Sequence, residues 1–215
     1  MSGFFITFEG PDGTGKTTQI KRLAESLRHL GYDVVLTREP GGTPISDQIR
    51  TLLLNPDYKE MCAQAEILLY AASRAQHVQQ VIRPSIAKGK IVLCDRFVEA
   101  SIAYQAYGNE YDMETVVRTN DVATGGLKPD RTYMLMIQPE DALGRMKRRQ
   151  LETGVQADRM EQKGEAFHQR VFEGFVHIAN SDPERIRIID AKGTIEQIAE
   201  TILMDCQVFL SNDKI

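Results

Sequence analysis

Residues 10–17, Gly10-Pro11-Asp12-Gly13-Thr14-Gly15-Lys16-Thr17, satisfy GxxxxGK(S/T), and no other stretch of the 215-residue chain limits its fold so strongly. The short apolar run Phe4-Phe5-Ile6-Thr7-Phe8 precedes the loop, and Ile20, Leu23, Ala24, Leu27 and Leu30 recur on one helical face after it. Strand, glycine loop and amphipathic helix therefore follow in order. The glycines let the backbone curl so that its N–H groups converge on a phosphate. Lys16 adds a point charge beside the β/γ oxygens, and the helix N-terminus adds its dipole. A nucleoside triphosphate is the ligand such a cradle takes, with Thr17 placed to hold Mg²⁺.

Gly31 ends the first helix as its C-cap, and Val34-Val35-Leu36 begins the next apolar segment, completing a βαβ unit. Further strands are expected at Ile91 to Cys94, Tyr133 to Ile137 and Ile186 to Ile189, with long helical stretches between them. The alternation predicts an α/β fold, a five-stranded parallel sheet flanked by helices. Dividing the length by about 150 residues per domain favours one domain over residues 1–215. From Gln150 to Asp158 the apolar periodicity lapses, which predicts a mobile surface loop.

Composition excludes several classes. Hydrophobic residues are 42% and charged residues 26% of the chain, values of a globular protein rather than a disordered or collagen-like one. The longest apolar run, Ile67 to Ala72, is six residues against the roughly 20 that cross a bilayer, so no membrane partner is expected. Glu9 follows the N-terminal apolar segment at once and no basic stretch precedes it, so no secretory signal is read and a cytoplasmic protein is expected. A formal charge of −4 argues against a nucleic-acid polymer as partner. Cys62, Cys94 and Cys206 show neither CxxC spacing nor a nearby His pattern, which predicts reduced thiols, with Cys94 in the core.

Asp95 closes the apolar run Ile91 to Cys94 as the carboxylate of a second nucleotide-binding strand would, within reach of the metal or its waters. Arg96 follows it; taken alone, the pair reads equally as a surface ion pair. A guanine-nucleotide switch is the competing class, and its NKxD tetrapeptide is absent.

Five separated motifs now stand in one order: Phe8-Glu9-Gly10 through Thr18, Arg38-Glu39-Pro40-Gly41-Gly42-Thr43, Ala72-Ser73-Arg74-Ala75-Gln76-His77, Asp95-Arg96-Phe97, and Ser101-Ile102-Ala103-Tyr104-Gln105. Over essentially its whole length the chain resembles the bacterial-type thymidylate kinases. The resemblance implies P-loop NTPase architecture with a mobile lid, ATP as phosphoryl donor, thymidine monophosphate as acceptor, Mg²⁺ and a homodimer formed through the helices flanking the Asp95 strand. It implies that ATP lies on Gly10, Pro11, Asp12, Gly13, Thr14, Gly15, Lys16, Thr17 and Thr18, and that Thr17, Asp12 and Asp95 serve the metal. Arg50 and Arg96 are implied as acceptor-phosphate ligands, with Lys16 and Arg96 catalytic. Asp12, Glu39 and Pro40 then lie at the sugar-phosphate end, Arg74, Ser101 and Gln105 on the base edge, Tyr70 stacked on the base and Tyr104 against the sugar C2′. Without the resemblance, Arg50 and Arg74 read as helix-surface cations, Ser101 and Gln105 as helix polars, and Tyr70 as core. The residue chemistry agrees with a monophosphate acceptor. Its second pKa of about 6 leaves it anionic at neutral pH, so it needs cations rather than a general base.

Arg145-Met146-Lys147-Arg148-Arg149 packs four cations into five residues. One reading is a solvated helix face. The other is a lid, residues 145–160, whose Arg148 or Arg149 neutralises the transferring group, because the phosphate loop carries no arginine of its own. Arg145 is implied against adenine, bordered by Ala191 and Lys192, and Arg159 is the next candidate for the catalytic cation. A kinase of another nucleotide or nucleoside, and a P-loop switch, remain the alternatives.

Overall fold

In the computed structural model, which describes residues 3–154 and 156–212, all five apolar segments are strands: β1 (Phe4–Glu9), β2 (Val34–Arg38), β3 (Ile91–Asp95), β4 (Arg131–Met136) and β5 (Ile186–Asp190). They form one parallel sheet in the order β2-β3-β1-β4-β5. Alternation along β1 divides the core in two. Ile6 and Phe8 face α1 (Lys16–His29) and α9 (Ile195–Asn212), whose Ile20, Leu23, Leu27, Ile198, Ile202 and Leu210 are buried there. Phe5 points the other way, into a cluster with Val92, Cys94, Phe97, Val78 and Ile82. On that second face α8 (Glu165–Ser181) adds Phe167, Val171 and Phe175 against Met134 and Tyr104. With both faces covered, the strands can be almost wholly apolar, which is what their sequences show.

α2 (Pro44–Leu54) and α3 (Ala63–His77) pack together beyond β2. α3 runs on through a π-helical turn, Val78–Ile82, into the short α4 (Arg83–Ala87). After β3 come α5 (Val98–Ser101), a π-helical stretch Ile102–Gly108, and α6 (Met113–Thr124). Gly31, at φ +89°, follows the end of α1 and donates its N–H to the Arg28 carbonyl, as a C-terminal glycine does. Cys94 is fully buried and burial pushes its thiol well up, while Cys206 is also buried and Cys62 exposed; all three are free thiols.

Two expected boundaries need correction. β4 begins at Arg131 and ends before Ile137, because Arg131 and Thr132 are polar residues that fold inward with partners. Arg131 donates to the Glu184 carbonyl at 2.7 Å, and the Thr132 hydroxyl meets Thr7 at 2.8 Å. The loop expected from Gln150 to Asp158 starts later. α7 (Pro139–Thr153) continues through Gln150, Leu151 and Glu152, and stops where Gly154 takes φ +67°. The periodicity lapses there because the last turn faces water on its sides, with Leu151 86% exposed, and not because the helix has ended. Val155, within the expected loop, lies outside the described residues.

Candidate active site

The register aligns Phe8, Asp95 and Arg38 on neighbouring strands, so the carboxyl ends of β1, β3 and β2 open side by side at one edge of the sheet. Open parallel sheets bind ligands at that edge. The glycine loop leaves β1 there, with Gly10, Gly13 and Gly15 at φ +125°, +80° and +91°. A methyl group on Gly10 would stand 2.1 Å from the Leu135 carbonyl oxygen, so both its backbone angle and its packing require glycine. Lys16 opens α1, only 6% exposed, and its Nζ donates to the Pro11 carbonyl at 2.6 Å. Burial first, then repulsion from Arg96, lowers its pKa to about 8. The Thr17 hydroxyl donates to Asp95 Oδ2 at 2.6 Å, which joins the first helical turn to the end of β3.

Arg96 adopts φ +73°, a left-handed conformation that costs a residue other than glycine roughly 1–3 kcal/mol and is found mostly at functional sites. The bend turns its guanidinium back over the loop. Nη1 donates to the Gly10 carbonyl at 3.2 Å, and Nη2 donates to Asp12 Oδ1 at 2.6 Å and to the Tyr104 hydroxyl at 3.1 Å. Tyr104 in turn donates to Asp12 Oδ2 at 2.6 Å. Burial pushes the Asp12 carboxyl up, but the Arg96 and Lys16 cations outweigh it and hold the group well below the usual carboxylate range. Asp12 is therefore ionised. Both its oxygens accept hydrogen bonds on the Arg96 side, and among the described residues no hydrogen bond joins it to Thr17 or Asp95.

All ten residues assigned to the acceptor, Asp12, Glu39, Pro40, Arg50, Tyr70, Arg74, Arg96, Ser101, Tyr104 and Gln105, line one cavity of about 100 Å³. Arg50 reaches it from α2 and donates to the Pro40 carbonyl at 2.9 Å. Burial, then the nearby Arg38, pushes the Arg50 pKa down despite the opposing charge of Asp158. Arg74 is 2% exposed and engaged through all three guanidinium nitrogens: it donates to Glu39 Oε2 at 2.7 Å, Ser101 Oγ at 2.9 Å, the Phe97 carbonyl at 2.7 Å and Asn120 Oδ1. His77 takes the other Glu39 oxygen at 2.8 Å. Glu39 thus serves the site by fixing Arg74. Burial raises its carboxyl, but Arg74 and His77 more than offset this and lower it.

Leu54, Ala100, Asp158 and Met160 also line this cavity and were not singled out in the sequence, and Asn120 and His77 stand just behind it. His77 had a signal in its place in the ASRAQH motif, and Asp158 and Met160 fall within the expected lid. Glu9 is another omission. It is fully buried and accepts the Phe97 N–H at 2.6 Å; burial, then Glu99, raises its carboxyl to about 8.

The basic cluster of α7 is placed differently from the phosphate loop. Arg149 ion-pairs with Glu161, Arg148 is exposed, and among the described residues no hydrogen bond or ion pair joins either to residues 10–18. Arg148 instead lines a surface depression of about 390 Å³ with Arg145 and Lys192, where Arg145 Nη2 donates to the Ala191 carbonyl at 2.9 Å. The expected adenine neighbours therefore meet. Arg159 is 8% exposed, 2.7 Å from Glu66 Oε2, and donates to the Leu53 carbonyl at 2.9 Å. Among the described residues no hydrogen bond or ion pair joins it to residues 10–18.

The thymidylate kinase family profile matches residues 8–202. The thymidylate kinase of Exiguobacterium sibiricum is 52% identical over 210 residues, covering 98% of this chain and 97% of that one. That of Syntrophotalea carbinolica is 48% identical over 200 residues, 93% of each chain. The crystal structure of thymidylate kinase from Ehrlichia chaffeensis superposes with a TM-score of 0.77 at 33% identity, covering 96% of this chain and 99% of that one. With the family profile matching residues 8–202 and relatives about 50% identical over nearly its full length, the chain belongs to the thymidylate kinase family.

Proposed function

We propose that this protein transfers the γ-phosphoryl group of ATP to thymidine monophosphate, giving thymidine diphosphate and ADP, a step of dTTP synthesis. The observation that carries the reading is Arg96, bonded at once to the Gly10 carbonyl of the donor loop and to Asp12 and Tyr104 of the acceptor cavity. One guanidinium spans the line along which the phosphoryl group must pass. Arg50 and Arg96 hold the acceptor phosphate, and Lys16 holds the donor's β/γ oxygens. No side chain has to remove a proton, because the acceptor oxygen is already anionic above its pKa of about 6. Catalysis then rests on bringing two polyanions into line and neutralising them. Thr17 and Asp95 offer a hydroxyl and a carboxylate, 2.6 Å apart, the all-oxygen donor set that suits Mg²⁺ or its waters. The ion, when bound with ATP, neutralises charge on the β and γ oxygens.

Tyr104, its hydroxyl fixed by Asp12, stands where a ribose 2′-hydroxyl would crowd it, and Tyr70 stacks on the base. Arg145, Ala191 and Lys192 border adenine. The same reading takes residues 1–215 as one domain with a lid at 145–160, working as a cytoplasmic homodimer. A coupled ADP-release assay over a panel of nucleosides and their monophosphates tests it. Acceptor-dependent turnover with thymidine monophosphate is expected, whereas ADP release independent of any acceptor would indicate a nucleotide-binding switch.

Arg148 and Arg149 act, in this reading, on the closed state alone, since the present geometry leaves them on α7 away from the loop. Replacing both with Ala is expected to lower kcat by at least about tenfold and to change thymidine monophosphate affinity by less than about threefold. Measuring kcat beside acceptor affinity checks it; unchanged kcat would make the cluster a solvated helix face.

A further inference from the structure

Behind Gln105 lies a carboxylate that the proposed reaction does not use. Glu66, on α3, is 1% exposed; Gln105 Nε2 donates to it at 3.0 Å and Asn109 Nδ2 at 2.8 Å, and Arg159 Nη2 forms an ion pair with its other oxygen at 2.7 Å. It lines a second cavity, of about 520 Å³, and not the acceptor cavity; Gln105 lines the acceptor cavity and not the second. The Gln105 amide is therefore part of the wall between them. Its nitrogen end donates and its oxygen end accepts, and the two diverge from one carbon. A carboxylate surrounded by donors accepts only, so it takes the nitrogen end. Gln105 Oε1, at the other end of the amide, is buried and without a hydrogen-bond partner among the described residues. A buried acceptor left unpaired costs about 1–3 kcal/mol until something supplies a donor.

We infer that Glu66 is a positioning residue that sets which pyrimidine the acceptor cavity takes. By holding Nε2 behind the wall, it fixes Oε1 as an acceptor toward the base. The cavity then favours a pyrimidine that presents a ring N–H, the imide of thymine or uracil. Cytosine presents a lone pair at that ring nitrogen, which would leave two acceptors facing each other. The inference rests on reading the cavity as the thymidine monophosphate site. It adds a residue outside that cavity, acting only through the orientation of an amide. With glutamine at position 66, the buried partner can donate as well as accept, so the Gln105 amide is free to turn and present its N–H₂ to cytosine.

The test is kcat/KM with the monophosphates of thymidine, deoxyuridine and deoxycytidine, for the wild type and Glu66→Gln. The variant is expected to lower the thymidine-to-deoxycytidine ratio at least about tenfold, mainly through KM, while the thymidine-to-deoxyuridine ratio stays within about twofold. General damage to the fold would not separate these ratios. An unchanged thymidine-to-deoxycytidine ratio, or an equal shift in both, overturns the inference. Should Glu66→Gln fail to fold, two further measurements decide. Wild-type enzyme should use N3-methylthymidine monophosphate at least about a hundredfold less well than thymidine monophosphate, and Gln105→Met, which keeps Glu66, should lose the discrimination against deoxycytidine. Normal use of the methylated acceptor, or retained discrimination in Gln105→Met, rejects the proposal. Absence of wild-type turnover with thymidine monophosphate would instead reject the proposed function itself.

Discussion

Lys16→Ala is expected to lower kcat by about 10²- to 10³-fold while shifting Tm by no more than about 4 °C. The side chain is 6% exposed yet bonded to one carbonyl, so removing it forfeits little folding energy. Its pKa, lowered to about 8 by burial and by Arg96, marks a cation short of counter-charge, which a triphosphate supplies. That charge acts most strongly as negative charge spreads over the transferring group. Kinetics at pH 7, where the wild-type lysine is protonated, should therefore be compared with thermal melts of the same samples. Near-normal kcat in a folded variant would remove Lys16 from its assigned place.

Arg96→Ala is expected to cost at least about 10³-fold in kcat/KM for thymidine monophosphate. The loss exceeds that of one phosphate contact. Arg96 holds Asp12 at 2.6 Å and Tyr104 at 3.1 Å, and removing it leaves the Asp12 carboxylate with Tyr104 and Lys16 alone. A buried charge deprived of its partner is costly and tends to rearrange. Burial works against the Arg96 cation, but Asp12 and its neighbours hold its pKa well above normal, so the charge is present at every working pH. Arg96→Lys, which keeps the charge but not the fork, should recover only part of the activity. Full activity in either variant contradicts the role given to the bridge.

The βαβ unit and the phosphate loop were legible because their signals are local: period 2 gives way to period 3.6 across a loop of fixed spacing. The five strands were legible for the same reason, and their errors have a common cause. Arg131 and Thr132 are polar and buried, satisfied by Glu184, Asp205 and Thr7, and no window around them contains those partners. The acceptor cavity gathers side chains from the glycine loop, α2, α3, α5 and the π-helical stretch after it. Periodicity cannot bring such residues together, so they were legible only through resemblance to a family. Asn120 and Glu66 carried neither kind of signal, and Asp158 and Met160 were legible only as part of the expected lid, residues 145–160. Glu66 looks like an ordinary acidic residue in the first turn of α3, and only the fold shows that Gln105, Asn109 and Arg159 converge on it.

Arg50, a cavity cation whose pKa is pushed down by burial and by Arg38, and the Arg96 fork beside it suit an acceptor that brings its own phosphate, and such an acceptor needs no base to deprotonate it. The most direct measurement is therefore kcat/KM for thymidine monophosphate against thymidine, with saturating ATP and Mg²⁺. The account predicts a preference for the monophosphate of at least about 10³-fold; comparable values for the two acceptors would contradict it.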